Sequence, residues 1–190
     1  RNTFDRFNGR HQDYQAARPS YAQEFLDWLG ELYAPPERYT AADIGSGTGK
    51  LSAQLLAAGF RVCGVEPNPD MRGAAEALLG GDPRFSSSNG TDHDTGLPDR
   101  SVDMVAAAQA FHWFDGPAFA RECRRILRPG GRAVLVWNVR GSAPMNQALA
   151  QVFREHCPSF HGFTGGMGED DPRIRDFFGG AYEKRRFPNP

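Results

Sequence analysis

Asp43-Ile44-Gly45-Ser46-Gly47-Thr48-Gly49 is the stretch whose reading decides the fold of this chain. It closes a short apolar run, Thr40-Ala41-Ala42-Asp43-Ile44, that reads as a buried strand. A helical pattern follows, with Leu51, Leu55 and Leu56 inward and Gly59 at its end. A glycine-rich turn between a strand and a helix lets backbone approach a ligand closely, because no Cβ intrudes. The spacing D-x-G-x-G-x-G departs from the G-x-G-x-x-G of a dinucleotide fingerprint. It also lacks the G-K-[ST] ending of a P-loop, since Leu51 follows Lys50.

Outward from that turn, helical and extended patterns alternate. Upstream, Tyr21, Phe25, Trp28, Leu29 and Leu32 recur on one helical face between about Tyr21 and Tyr33. Ser20 with Gln23 suggests a capping box, and Pro35-Pro36 stops the helix. Downstream, Arg61 to Glu66 reads as the second strand. Asn68 and Pro69 open a helix that runs to Leu79 before Gly80-Gly81. Arg84 to Asn89 is a weaker strand, because three serines disfavour one, and Val102 to Ala108 is a better one. Gly116-Pro117 opens a helix over Ala118 to Leu127, Arg128-Pro129-Gly130-Gly131 closes it, and Ala133 to Trp137 is the fifth strand.

Beyond it, Pro144 to His156 reads as a helix with Met145, Leu149, Val152 and Phe153 on its apolar face. Gly162 to Gly168 reads as a loop, and Asp171-Pro172 starts a short helix ended by Gly179-Gly180. Tyr182 to Phe187 is a candidate sixth strand. The alternation predicts an α/β fold: a Rossmann-like, doubly wound, mostly parallel sheet with helices on both faces, a three-layer sandwich.

The chain has 190 residues, which fits one domain. Its expected parts are an N-terminal lid and helix (1–37), a cofactor-binding core (38–139) and a substrate-side insertion with the C-terminal part (140–190). Formal net charge is −1, and lysine occurs only at Lys50 and Lys184. No one-sided basic run marks a nucleic-acid binder, so no nucleic-acid partner is expected. Cys63, Cys123 and Cys157 lie far apart and read as reduced thiols, which suits the cytoplasm. No stretch is long and apolar enough for a membrane span, and no signal peptide is evident. His156, Cys157 and His161 fit no zinc spacing, so no metal is expected.

Glu66 ends the second strand roughly 20 residues beyond the glycines, where an acid accepts hydrogen bonds from ribose hydroxyls. Glycines plus this acid specify an adenosine-type ligand; alone, Glu66 is also compatible with a solvated strand end. Four segments then carry a family resemblance: Ala42 to Gly49, Gly64 to Met71, Leu97 to Asp103, and Arg125 to Gly131. The run Gln109-Ala110-Phe111-His112-Trp113-Phe114-Asp115 between the last two strengthens it. The chain resembles the class I S-adenosylmethionine-dependent methyltransferases, and within them the small-molecule group of trans-aconitate methyltransferase and the quinone-biosynthesis C-methyltransferases. The resemblance covers about residues 38 to 139.

It implies S-adenosyl-L-methionine as cofactor, with Asp43, Gly45, Ser46, Gly47 and Gly49 facing its methionine part. Glu66 would take the ribose, Pro67 and Met71 would pack near adenine, and Gln109 would lie beside the methyl group. The loop Gly90-Thr91-Asp92-His93 would contact the adenine amino group through Asp92, although relatives carry Ala-Glu where this chain has Asp92-His93. The family's sheet normally adds a sixth and an antiparallel seventh strand. This sequence reaches Pro190 soon after its sixth-strand candidate, with no candidate seventh.

Methyl transfer depends on alignment more than on a Lewis acid. Phe111, Trp113 and Phe114 are candidate walls of a water-poor site, or equally core or lid packing. His112 is the candidate base for a hydroxyl or amine acceptor, or else a group that orients its loop; a carboxylate acceptor needs no base. The acceptor, expected to be a small molecule, would meet the stretch from Phe4 to Arg18 and the region from Asn138 to Gly180. Tyr14 and Arg18 would close over it, and Arg18 or Arg140 could pair with a carboxylate or simply be a surface arginine. The competing readings are a non-catalytic S-adenosylmethionine-binding module and a nicotinamide-dependent oxidoreductase.

Overall fold

A computed structural model describes residues 19–139, 151–153, 155–157 and 167–189. In chain order, α1 is Gln23–Leu32, β1 Thr40–Ile44, α2 Lys50–Ala57, β2 Arg61–Val65 and α3 Pro69–Leu79. Then come β3 Phe85–Ser88, β4 Val102–Ala108, α4 Gly116–Ile126, β5 Leu127–Val136 and a C-terminal helix, Pro172–Phe177. All paired strands are parallel, in the order β3-β2-β1-β4-β5. This is the Rossmann-like, doubly wound arrangement that the alternating pattern predicts. The order reverses between β1 and β4, and in such sheets ligands bind outside the carboxyl ends at that switch point.

Strand alternation supplies two cores. Ala41, Val62, Met104 and Ala106 point to one face, where Phe25, Leu26 and Leu29 of α1 and Leu51, Leu55 and Leu56 of α2 cover them. Ala42, Ile44, Cys63, Val65, Val105 and Ala107 point to the other, under Phe119, Cys123 and Ile126 of α4 and Ile174 and Phe177 of the C-terminal helix. Both faces of β1, β2 and β4 are therefore buried, so these strands read as near-continuous small or apolar runs rather than as alternating ones. No helix among the described residues is long and apolar enough to cross a membrane.

Several boundaries fall where the sequence places them, among them β1, α3 and β4. The Asn68 side chain caps α3 by accepting from the backbone N–H groups of Asp70 and Met71, and Asp171 caps the C-terminal helix from the Arg173 N–H.

Three expectations are corrected. Ser20 and Gln23 form no capping box: α1 starts after Ala22 without a side-chain cap. Gln54 of α2 instead accepts from the Tyr21 N–H and donates to the Tyr21 carbonyl, both at 2.9 Å. Strand β5 begins at Leu127, before Ala133, with a register shift opposite Val102–Met104 where Arg128–Gly131 bulges. Tyr182 to Phe187 is not a strand; Phe187 packs its ring against Phe25 and Trp28 on α1. The expected helix from Pro144 and the Gly162 loop lie largely outside the described residues. Val152 and Phe153, expected on an apolar face, are half exposed (50% and 40%).

Candidate functional site

At the carboxyl end of β1 the chain turns sharply across the neighbouring strand: the N–H groups of Gly45 and Ser46 both donate to the Val65 carbonyl, at 2.9 and 3.2 Å. Gly45, Gly47 and Gly49 all take left-handed φ angles, +68°, +56° and +82°, which cost a residue with a Cβ about 1–2 kcal/mol each. Their surroundings differ. A Cβ on Gly45 would stand 2.8 Å from the Ala110 Cβ, and one on Gly49 2.9 Å from Leu79 Cδ1. A Cβ on Gly47 would meet nothing within 4 Å. The outer two glycines admit neighbouring elements, and the middle one leaves room. That room belongs to a pocket lined by Tyr21, Asp43, Ser46, Gly47, Thr48, Lys50 and Ala108.

Asp43 is 1% exposed. Its Oδ2 accepts from the Ser52 hydroxyl at 2.7 Å, while Oδ1 has no hydrogen-bond partner. Burial drives its pKa up to about 6, against the lowering effect of the Ser52 bonds, and the charge of Glu66 pushes the same way as burial. Glu66 is also buried, with Oε2 accepting from the Gly47 N–H and Oε1 from the Asn68 N–H, each at 2.9 Å. Burial raises its pKa too, opposed by those two amides and by the Arg72 charge. The two carboxylates therefore meet one glycine turn, Asp43 just before it and Glu66 at the N–H of its middle glycine. Pro67 is half-buried beside Glu66, and Met71 is buried at the start of α3.

The loop after β3 is held shut at Gly90, where a Cβ would lie 2.5 Å from the Thr95 carbonyl oxygen. Thr91 and Asp94 close a tight turn by exchanging bonds of 2.8 and 3.1 Å. The Asp92 carboxylate contacts the His93 ring and accepts from the Asp115 N–H at 3.1 Å, which joins this loop to the start of α4. Gln109, at the carboxyl end of β4, takes a left-handed φ of +55°; its backbone N–H donates to Val136 and its side-chain amide to the Asn138 carbonyl.

Between Gln109 and Asp115 the three aromatic residues separate. Phe111 is buried, with its ring against Phe114, Phe119, Trp137 and Phe177. Trp113 is 46% exposed, with its ring centroid 4.8 Å from that of His112. Phe114 packs over Gly45, which brings this turn against the glycine turn. Tyr14, Arg18 and Arg140 lie outside the described residues. Sequence reasoning missed Tyr21 as a pocket residue, having used it as a helix-face residue. It also missed Thr48 and Lys50, which flank the glycines.

A family model described as a methyltransferase domain matches residues 42–135. An uncharacterised methyltransferase of Mycobacterium tuberculosis is 42% identical over 127 residues, 67% of this chain and 49% of that protein. One from Schizosaccharomyces pombe is 31% identical over 147 residues, 76% of this chain and 57% of that protein. This chain thus spans about half the length of these two relatives. Among solved structures, a protein of Anaeromyxobacter dehalogenans described as a type II methyltransferase is 34% identical with a TM-score of 0.59, covering 90% of this chain and 68% of that one.

Proposed function

The chain belongs to the methyltransferase family, and we propose that it transfers a methyl group from S-adenosylmethionine to a small-molecule acceptor by in-line displacement. The observation that carries this reading is the Asp43 carboxylate, buried in the lining of the glycine pocket with one oxygen unpartnered. An unpaired buried carboxylate oxygen is costly, and a ligand donor removes the cost. The ammonium of a methionine moiety is such a donor. At the middle of the turn, Glu66 retains acceptor capacity for two ribose hydroxyls beyond its bonds to Gly47 and Asn68. No atom stands within 4 Å of where a Cβ on Gly47 would lie. The residues therefore fit both ends of the cofactor, with Pro67 and Met71 beside adenine.

When bound, S-adenosylmethionine supplies an electrophilic methyl group on a sulfonium. The chain contributes alignment and exclusion of water. Gln109 shapes the edge beside the methyl position through its fixed backbone and its bond to Asn138. Trp113 offers an exposed aromatic face to the acceptor. His112 takes the proton of a hydroxyl or amine acceptor, and a carboxylate acceptor bypasses it. Cys63, Cys123 and Cys157 are free thiols, which suits the reducing cytoplasm in which we place the protein.

The test measures labelled methyl transfer to a panel of small acids and phenols, together with calorimetry of S-adenosylhomocysteine and NAD. Tight S-adenosylhomocysteine binding and a methylated product are expected. Binding without turnover on any acceptor would leave a non-catalytic module, and NAD binding without S-adenosylhomocysteine binding would replace the proposal with a nicotinamide oxidoreductase. With a phenolic acceptor, His112→Ala is expected to lower kcat about 100-fold; with a carboxylic acid it should change little.

A further inference from the structure

We infer that Arg72 is a positioning residue that locks the two loops flanking the adenosine end of the site into one wall, an inference that rests on the proposed cofactor. Its Nη1 donates to the Glu66 carbonyl at 2.8 Å and to Asn89 Oδ1 at 3.0 Å, with the Pro67 carbonyl at 3.4 Å. Glu66 and Pro67 leave β2, whereas Asn89 leaves β3. A single guanidinium nitrogen therefore joins the backbone of the ribose-binding acid to the loop that leads to Thr91 and Asp92.

The arginine itself starts from fixed backbone. It lies in the first turn of α3, directly after the amides that Asn68 caps. Its Nε faces Glu76 one turn on at 3.7 Å, and its side chain is only 19% exposed. The N–H groups of Nη1 lie in the rigid guanidinium plane, which fixes direction as well as distance better than a flexible ammonium does.

The Glu66 N–H donates to the Ser88 carbonyl at 3.1 Å, so the strand pairing continues up to this point. Beyond it, Arg72 cross-links the β2 and β3 loops. The positive charge also favours the ionised form of the Glu66 carboxylate, which burial opposes. Glu66 needs that form to accept from both hydroxyls. The guanidinium bonds backbone carbonyls and an exposed amide rather than core atoms, so its removal should loosen the wall while the core stays intact.

Calorimetry of the full chain with S-adenosylhomocysteine and 5′-methylthioadenosine tests this. Arg72→Ala is expected to weaken both probes by a similar factor, about tenfold, because the fault lies at the end they share. Arg72→Lys should recover part of the loss, and the melting temperature should move little. Where Arg72→Ala folds, its double variant with Asn89→Ala should bind no more weakly than Arg72→Ala alone; if it folds poorly, Asn89→Ala serves instead, with about a threefold loss of both probes expected and unchanged affinity overturning the inference. Unchanged affinity in Arg72→Ala, a loss confined to S-adenosylhomocysteine, or additive losses in the double variant would each overturn the inference alone. Failure of the unsubstituted chain to bind either probe would overturn the proposed function and this inference with it.

Discussion

Asp43 and Glu122 are both buried carboxylates, 1% and 6% exposed, yet their surroundings are opposite. Glu122, on α4, accepts from the Thr95 N–H and hydroxyl at 2.9 and 2.6 Å and from the Arg125 guanidinium at 2.7 and 2.8 Å. Burial by itself would raise its pKa, but the bonds from Arg125 and Thr95 outweigh burial and hold it at about 2. Asp43 has one hydroxyl donor, an unpartnered oxygen and a pKa of about 6. Within the free chain Glu122 is finished and Asp43 is not. A site completed by its own fold is a joint, here the one between α4 and the loop after β3. A site left short of donors inside a pocket invites a ligand.

Breaking the joint has the largest expected effect. Glu122→Ala leaves Thr95 without its acceptor and Arg125 without a buried partner, and should cost about 3 kcal/mol of stability in chemical denaturation. The loss should not depend on added S-adenosylhomocysteine beyond the ordinary effect of ligand binding.

The two carboxylates should also carry opposite pH signatures. Asp43 is protonated in both states below its ordinary value of 3.8 and ionised in both above about 6. Between those values only the folded form keeps the proton, so the free chain loses stability as pH rises through this window, by about 3 kcal/mol at about 1.4 kcal/mol per unit. Glu122 behaves conversely: its folded value lies below the ordinary 4.5, so its contribution is present above 4.5 and fades as pH falls toward about 2. Asp43→Asn should remove the first window, gain about 1–2 kcal/mol at neutral pH and weaken S-adenosylhomocysteine at least tenfold. An Asp43→Asn variant that binds as before would break the contrast between the two carboxylates.

The smallest effect is expected at the turn between Asp43 and Glu66. Gly47→Ala pays only for its left-handed φ, about 1 kcal/mol, because no atom stands within 4 Å of the added Cβ. Its melting temperature should fall less than that of Gly45→Ala, which also meets the Ala110 side chain at 2.8 Å, while its cofactor affinity should still suffer.

Features set by near neighbours in the chain were legible. The D-x-G-x-G-x-G spacing, the Asn68 cap and the Pro69 start of α3 rest on φ preference and short-range hydrogen bonds, and they appear where expected. Asp43 and Glu66 were legible by type and spacing, and the structure brings both to one turn. The contrast between Asp43 and Glu122 was not. Glu122 looks like any charged residue on a helix until Thr95, 27 residues away, folds against it. Arg72 likewise looks like a surface residue until Asn89 arrives from β3.

Burial also divided the aromatic run from Phe111 to Phe114, sending Phe111 into the core and leaving Trp113 exposed. The left-handed Gln109 carries no glycine to announce it; its side chain and N–H are held by Asn138 and Val136 of the next strand's exit. The sequence alone determined the parallel α/β order and the glycine turn, because hydrophobic periodicity and backbone preference are local properties. Only the tertiary structure decided which carboxylate was completed and which was left open, because partners at long sequence separation and desolvation exist only once the sheet and its helices have packed.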